Sequence, residues 1–267
     1  MQDLNFSKYI HTVNEYSTFL EKNISSDLYY YQAYNSVLKN KINNYINYLN
    51  LSLIYNYFSS YKKLHLLDLG SGVGDKSYFI KYFFPTFKVY GLETINHDDP
   101  EHKKNKPHEF FGSIYKKINK KFGLNLRLYN GKHIPKYYKN FDVIMLYAVI
   151  EHIAPKNRFN FIKSIEKRLN RNGYFIITRC PRRFGLIEYI ARNLNLGAHE
   201  WVLSKNELLK LFPKNKYSIK LLKIMNNIPN GPYFSNKFFS QLVIIDKILS
   251  FLRWPFATDY FLLVKKK

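Results

Sequence analysis

Residues 65–77 read His-Leu-Leu-Asp-Leu-Gly-Ser-Gly-Val-Gly-Asp-Lys-Ser. A short apolar run, Leu64 to Leu69 with His65 inside it, stops at three glycines on a two-residue beat: Gly70, Gly72 and Gly74. A run of this kind predicts a buried strand over 64–69 that enters a tight turn. Glycine tolerates positive φ and lets backbone approach a ligand with no Cβ in the way. The next stretch, stopped by Pro85, predicts a helix over 74–84 whose N-terminus faces that ligand. Strand, glycine turn and helix in this order open a β-α-β unit and restrict the chain to an α/β architecture.

Two ligand classes compete for such a turn. The dinucleotide fingerprint is G-x-G-x-x-G. Here the spacing is G-x-G-x-G, with Asp68 two residues ahead of the first glycine. A carboxylate at a strand tip repels a pyrophosphate and accepts from an ammonium group. The ligand expected is therefore cationic and free of phosphate, which disfavours NAD; a glycine turn that binds nothing is the bland alternative. In the form Asp68-x-Gly70-x-Gly72-x-Gly74 the segment resembles motif I of the class I S-adenosylmethionine (SAM)-dependent methyltransferases. That resemblance implies SAM as cofactor, with Asp68, Gly70, Ser71, Gly72 and Gly74 around it. Lys88 to Glu93 reads as the next strand and ends in an acid. Glu93 stands about 20 residues past the turn, where a carboxylate binds ribose hydroxyls in such units. An unmodified ribose belongs to NAD and SAM alike, so Glu93 supports the fold without choosing the cofactor.

A second motif runs from Phe141 to Ile153 (Phe-Asp-Val-Ile-Met-Leu-Tyr-Ala-Val-Ile-Glu-His-Ile). A strand over 141–147 would bring residues 146–152 to the carboxyl edge of the sheet, where ligands bind in open α/β folds. The stretch resembles the "FDvv…EHi" signature of the type 11 group of SAM methyltransferases. That likeness implies a small-molecule, sugar or lipid-linked acceptor. Asn130 and Gly131 fall where this group contacts adenine, and Tyr147 stands at the end of the strand beside the cofactor. The resemblance covers about residues 63–181; His199-Glu200 followed by Ser204-x-x-Glu207-Leu208 extends it past the fifth strand. Residues 1–60 and 226–258 have no counterpart in it.

The departures narrow the substrate. Base-amine methylases carry Asn/Asp-Pro-Pro-Tyr/Phe after this strand, where this chain has Leu146-Tyr147-Ala148-Val149. Pyrimidine C5-methylases need nucleophilic cysteines, and the single cysteine, Cys180, reads as a small buried residue. Nucleic acid is therefore disfavoured as acceptor. Metal-using relatives place a Glu three residues before the Glu-His pair; Ala148 stands there, so no metal is expected. An oxygen or amine acceptor must lose a proton, which a histidine or carboxylate takes. His152 is the first candidate base because its neutral form exists at pH 7. Glu151 and His199 complete the expected catalytic set, sharing one cleft with Tyr147. An imidazole that only caps the Glu151 loop is the structural alternative.

Apolar and helical segments alternate over the rest of the chain: strand 88–93, helix 109–121, strand 125–129, strand 141–147, helix 157–170 with Gly173 as its cap, and strand 173–179. Ser204-Lys205-Asn206-Glu207 predicts a capping box opening helix 205–212, closed by Pro213. Strands 217–225 and 259–266 follow, with an amphipathic helix over 236–253 between them. Its apolar side (Phe238, Leu242, Ile245, Leu249, Leu252) predicts an inserted lid packed on the fold, with a membrane-surface role as the alternative. Residues 28–58, apolar at 34, 38, 42, 45, 46, 49 and 53, predict one or two helices before the first strand. The expected fold is a Rossmann-like class I methyltransferase sheet of seven strands, the last antiparallel. Residues 1–62 form a helical extension, 63–267 the methyltransferase domain, and about 226–258 a helical insertion. His97, Asp98, Asp99 and His102 look like metal ligands but lack any periodicity and read as a solvated loop.

Charge is the remaining signal. Forty-two Lys and Arg stand against nineteen Asp and Glu, a net +23. Residues 1–61 are neutral, whereas residues 103–139 hold eleven basic residues and one acid, Glu109. The excess accompanies a general richness in Lys, Asn, Tyr, Ile and Phe, which favours composition over a selected anion-binding surface. A phosphate, polyanionic glycan or acidic membrane is the partner if it is selected. The N-terminus lacks the basic and apolar regions of a secretory signal, so a cytoplasmic protein, within reach of a membrane surface, is expected. An RNA methyltransferase and a non-catalytic SAM-binding subunit are the competing functions.

Overall fold

The computed structural model describes residues 4–24, 38–94, 107–130, 134–135, 138–193, 201–228, 238–252 and 257–267. The chain divides into two compact units, Met1–Pro135 and Lys136–Lys267.

The first unit begins with α1 (Phe6–Asn23), capped by the Asn5 side chain, which accepts from the Lys8 N–H at 3.0 Å. It buries Tyr9, Val13, Tyr16 and Leu20, the i, i+4, i+7, i+11 spacing of one helical face. α2 (Lys41–Phe58) is capped in the same way by Asn40. β1 (His65–Leu69), α3 (Asp75–Phe83), β2 (Lys88–Thr94), α4 (Pro107–Phe122) and β3 (Asn125–Tyr129) then alternate. β1 pairs with β2, and β2 with β3, both parallel. Leu66, Leu67, Leu69, Val89 and Leu92 are buried, which is why these strands read as apolar runs and not as alternating patterns.

The second unit holds β4 (Phe141–Tyr147), a 3-10 turn (Ile150–His152), α5 (Pro155–Glu166), β5 (Leu169–Pro181), α6 (Leu186–Asn193), α7 (Lys205–Lys210), β6 (Tyr217–Met225), α8 (Phe239–Phe251) and β7 (Asp259–Lys266). α5 opens on Pro155, whose missing N–H costs nothing at that position. α7 carries the expected capping box: Ser204 Oγ takes the Glu207 N–H, and the Glu207 carboxylate takes the Ser204 N–H at 2.7 Å. β4 and β5 are parallel, and β7 runs antiparallel to both β5 and β6. The seven strands follow the order β3-β2-β1-β4-β5-β7-β6, with the last strand antiparallel as expected.

Two expectations change. Gly173 is not a helix cap: α5 ends at Glu166, and Gly173 lies inside β5, which starts at Leu169. Glycine is needed there because a Cβ would stand 2.8 Å from the Leu169 side chain. The helix expected over 236–253 forms as α8, but it does not pack as a lid: Asp246 is its one buried residue among those described. Tyr45 and Tyr48 pack against Phe6 of α1, at 6.3 and 4.9 Å between rings. Tyr29, Tyr30, Tyr31 and Tyr34 lie outside the described residues, as do His97, Asp98, Asp99 and His102.

Candidate active site

In the first unit the chain leaves β1 through Gly70, Gly72 and Gly74, all with positive φ. Gly74 is the residue before α3; its φ of 85° and the Leu126 methyl that a Cβ would meet at 2.3 Å both demand glycine. The Gly70 N–H donates to the Leu92 carbonyl at 2.8 Å, so the turn is hung on β2. Glu93, at the end of β2, is buried and accepts from the Gly72 N–H at 2.6 Å and from the Thr94 N–H at 2.9 Å. Its pKa is raised by burial, against the pull of those two N–H groups. Ser71 is buried beside the Tyr115 hydroxyl, which donates to the Gly72 carbonyl. The Tyr16 hydroxyl of α1 donates to the Val73 carbonyl at 2.7 Å, and the Tyr78 hydroxyl of α3 donates to Glu15 at 2.7 Å. The glycine turn is thus gripped by β2 on one side and α1 on another.

Asp68 is fully buried at the tip of β1. Its Oδ2 accepts from the Ser77 hydroxyl at 2.7 Å, while Oδ1 has no hydrogen-bond partner among the described residues. Burial pushes its pKa up to about 7; Ser77 opposes this, and Asp75 adds to it. A buried carboxylate oxygen without a donor carries a large desolvation cost. A cation or N–H donor arriving at this spot would remove it. Tyr129, at the end of β3, has its hydroxyl pKa pushed up to about 12 by burial and by the nearby Glu93 charge. Asn130 follows it, exposed; Gly131 lies outside the described residues.

In the second unit, β4 ends at Tyr147, opposite Thr178 of β5. The Ala148 N–H donates to the Thr178 carbonyl at 3.0 Å while its φ turns to +53°, a left-handed value that a non-glycine residue seldom adopts. The turn that follows buries Glu151 and leaves His152 exposed. Arg158 of α5 straps this turn: its Nε donates to the carbonyls of Ile150 and Ile153 at 3.1 and 2.9 Å, and its Nη2 to that of Trp201 at 2.7 Å. Glu151 lies within electrostatic reach of Arg158, Arg179 and Cys180. Cys180 is buried as expected, and burial drives its thiol pKa well above the ordinary range, away from the reactive thiolate form. Arg179 has φ +55° at a register shift between β5 and β7 and donates to Asp259 at 3.1 Å. His199 lies outside the described residues.

Sequence reasoning therefore placed Asp68, Ser71, the glycines and Glu93 in one cradle. It also expected residues 146–152 at the carboxyl edge of the sheet; Tyr147 ends β4, and Glu151 and His152 lie on the 3-10 turn that follows. It missed Tyr16, Tyr115 and Ser77, which hold the cradle, and Arg158, which holds the turn. Only Tyr16 carried a signal, the helical spacing of buried positions in α1.

No protein-family model matches the chain, and no curated protein matches its sequence. Solved structures do. The magnesium protoporphyrin IX methyltransferase ChlM from Synechocystis PCC 6803, with bound SAH, is 11% identical; the likeness covers 97% of each chain at a TM-score of 0.55. The plantazolicin methyltransferase BpumL, in complex with SAH, is 16% identical over 96% of this chain and 99% of its own, at 0.51. The PH0226 protein from Pyrococcus horikoshii OT3 is 15% identical over 95% and 99%, at 0.51. At these identities the likeness is one of fold: this chain has the Rossmann-like sheet of class I methyltransferases.

Proposed function

We propose that this chain is a SAM-dependent methyltransferase acting on an oxygen or nitrogen of a small metabolite, sugar or lipid-linked acceptor. The observation that carries the reading is the buried Asp68 carboxylate, with one oxygen lacking a donor, beside a three-glycine turn. A ligand ammonium suits that oxygen, and a pyrophosphate does not. The shared fold and the SAH bound by ChlM and BpumL support the same choice.

Asp68 would hold the amino-acid end of the cofactor, and Gly70, Ser71, Gly72 and Gly74 would border it. Glu93 has both oxygens already accepting from backbone, with lone pairs left for ribose hydroxyls. Asn130, Gly131 and Tyr147 would complete the cofactor's surroundings. SAM, when bound, supplies a methyl group on a sulfonium that is its own leaving group, so the protein's task is positioning and one proton. His152, exposed beside buried Glu151, would take that proton from the acceptor, with His199 as second candidate. The catalytic part would span 63–267, with residues 1–62 as its helical extension.

Isothermal calorimetry tests the cofactor directly: SAM and SAH are expected to bind and NAD is not. NAD binding without SAM binding would overturn the reading. Gly72→Val should abolish binding, because a branched residue at φ 52° would displace the N–H that Glu93 holds. His152→Ala should lower turnover about 10²–10⁴-fold and leave SAM affinity unchanged. A joint loss of affinity and melting temperature would make its role structural. Turnover in EDTA should match turnover in magnesium, since Ala148 stands where metal-using relatives have Glu. A SAM-binding chain with no turnover on any acceptor would be the partner-subunit alternative.

A further inference from the structure

We infer that α6 and α8 form a docking surface for an anionic lipid bilayer. The inference stands on residues of the second unit alone and holds whether or not the chain transfers methyl groups.

Fourteen large apolar side chains are exposed among the described residues, and ten of them fall in 184–190 and 238–252. They are not scattered within those segments. On α8 the exposed residues are Ile244, Ile245, Ile248, Phe251 and Leu252, which is i, i+1, i+4, i+7, i+8 spacing and therefore one helical face. Phe251 is 86% exposed. Two residues on from Ile244, about 200° around the helix, Asp246 points the other way. It is buried and accepts from the Asn227 N–H and side-chain amide, both at 3.0 Å, and that amide also donates to Ser250 at 2.9 Å. Asp246 anchors the helix, with Phe239, Leu242, Val243 and Leu249 half-buried around it, and a broad apolar face is turned outward.

α6 likewise turns apolar residues outward around a buried acid. Leu186, Tyr189 and Ile190 lie on one face and are exposed, with Phe184 67% exposed just before them, while Glu188, about 200° from Leu186, is buried. Both helices belong to the same end of the sheet. Pro181 and Met225 each pair with Asp259, so β5 and β6 end level with the start of β7. α6 follows Pro181 through Arg182, whose N–H donates to Thr258 at 2.8 Å, and α8 is tied to Asn227, two residues past Met225.

Water is a poor medium for two outward apolar faces, since monomeric proteins seldom leave such patches unused. The charges choose the occupant. Beside these faces Lys247 is exposed, Arg183 is half-exposed and paired with Glu207, and Arg182 is buried; residues 182–193 hold a single acid, Glu188, and residues 226–258 a single acid, Asp246. Each segment buries its only acid, so neither presents a carboxylate outward from its own sequence. A second copy of this chain would bring the same excess of cations, on a protein of net charge +23. An anionic bilayer offers both apolar chains and opposite charge, the pairing that interfacial helices use. α8 has thirteen residues, and no helix among the described residues is long and apolar enough to cross a membrane, so the contact is with the surface.

Co-sedimentation of the full chain with vesicles tests this. Vesicles of phosphatidylcholine with about one-third phosphatidylserine should retain the protein, and phosphatidylcholine alone should retain much less. Ile248→Glu with Phe251→Glu should lower retention at least about tenfold while melting temperature and SAH affinity stay unchanged, because both side chains are exposed. Ile219→Glu, exposed on β6, should retain full binding. Phe251→Ser provides a milder variant should the double change impair folding, and it should lower retention severalfold. Absence of binding to either vesicle would overturn the inference. So would retention that these variants leave intact, which would assign it to scattered charge. Self-association without vesicles that the same variants abolish would identify a second copy as the occupant and also overturn it.

Discussion

Burial raises the Asp68 carboxyl from its ordinary 3.8 to about 7, and this sets a cost that only a ligand offsets. Below about pH 4 the group is protonated in folded and unfolded chains alike. As pH climbs towards 7 the unfolded chain gains by ionising and the folded chain does not, so stability falls; above about 7 the loss is complete. Asp68→Asn should therefore raise the melting temperature of the ligand-free protein by about 5 °C or more at pH 8, with little change at pH 4. The same variant should weaken SAH binding at least about tenfold, since the carboxylate that meets the ammonium is gone. A variant that melts no higher at pH 8 would mean Asp68 is not held in this strained state. Glu93 differs in kind, because its two oxygens already serve the backbone. Glu93→Ala should weaken SAM binding roughly tenfold to a hundredfold and lower melting temperature together. Glu93→Gln, with one acceptor left, should recover part of the stability and little of the affinity.

The glycine turn depends on an element that its own sequence does not announce. Tyr16 reaches from α1 to the Val73 carbonyl, 57 residues on, and stacks on Tyr78 at 4.8 Å. Tyr16→Phe keeps the ring and loses the hydroxyl, leaving a buried carbonyl with one donor fewer. It should cost about 1 kcal/mol, a melting temperature lower by about 2–4 °C, and severalfold in SAH affinity, read by scanning calorimetry and titration. Unchanged affinity would separate α1 from the cradle. This explains which parts of the fold were legible beforehand. β1, the turn and α3 were readable because apolar run, glycines and helix are consecutive, and local backbone chemistry decides them. The grip of α1 on the turn was not, because in a chain with 18% aromatic residues one more tyrosine stripe carries no mark of what it touches. Gly173 was misassigned for a related reason: a glycine after a helical pattern suits a cap, and only the Leu169 side chain, four residues away, makes it a packing glycine. α8 shows the limit of periodicity. Its apolar spacing was plain, but whether such a face turns inward depends on Asp246 meeting Asn227, nineteen residues back.

At the scale of the whole molecule, more acids than bases are drawn into the interior among the described residues. Among the described residues Asp68, Asp75, Glu93, Glu151, Glu188, Asp246 and Asp259 are all buried, while of the basic residues only Arg158 and Arg182 are. A formal charge of +23 over 267 residues therefore understates how one-sided the surface is. Two of the ion pairs, Lys39–Glu21 and Arg183–Glu207, are largely solvent-exposed and of the kind that contribute little. Self-repulsion among the excess cations should then be a main electrostatic cost of folding, and it is a cost that salt screens. Raising sodium chloride from about 50 to 500 mM at pH 7 shortens the screening length to a few ångströms and should raise the melting temperature by a few degrees. A fall instead would show that attractive pairs outweigh the repulsion. The same excess should hold polyanions non-specifically at low salt, and that retention should weaken steeply as salt rises, whatever the sequence offered. RNA retained at high salt, or turnover that requires RNA, would move the acceptor from a small molecule to nucleic acid. Loss of all RNA binding by about 300 mM salt, with SAH affinity unchanged over the same range, would leave the charge as a surface property separate from the cradle around Asp68.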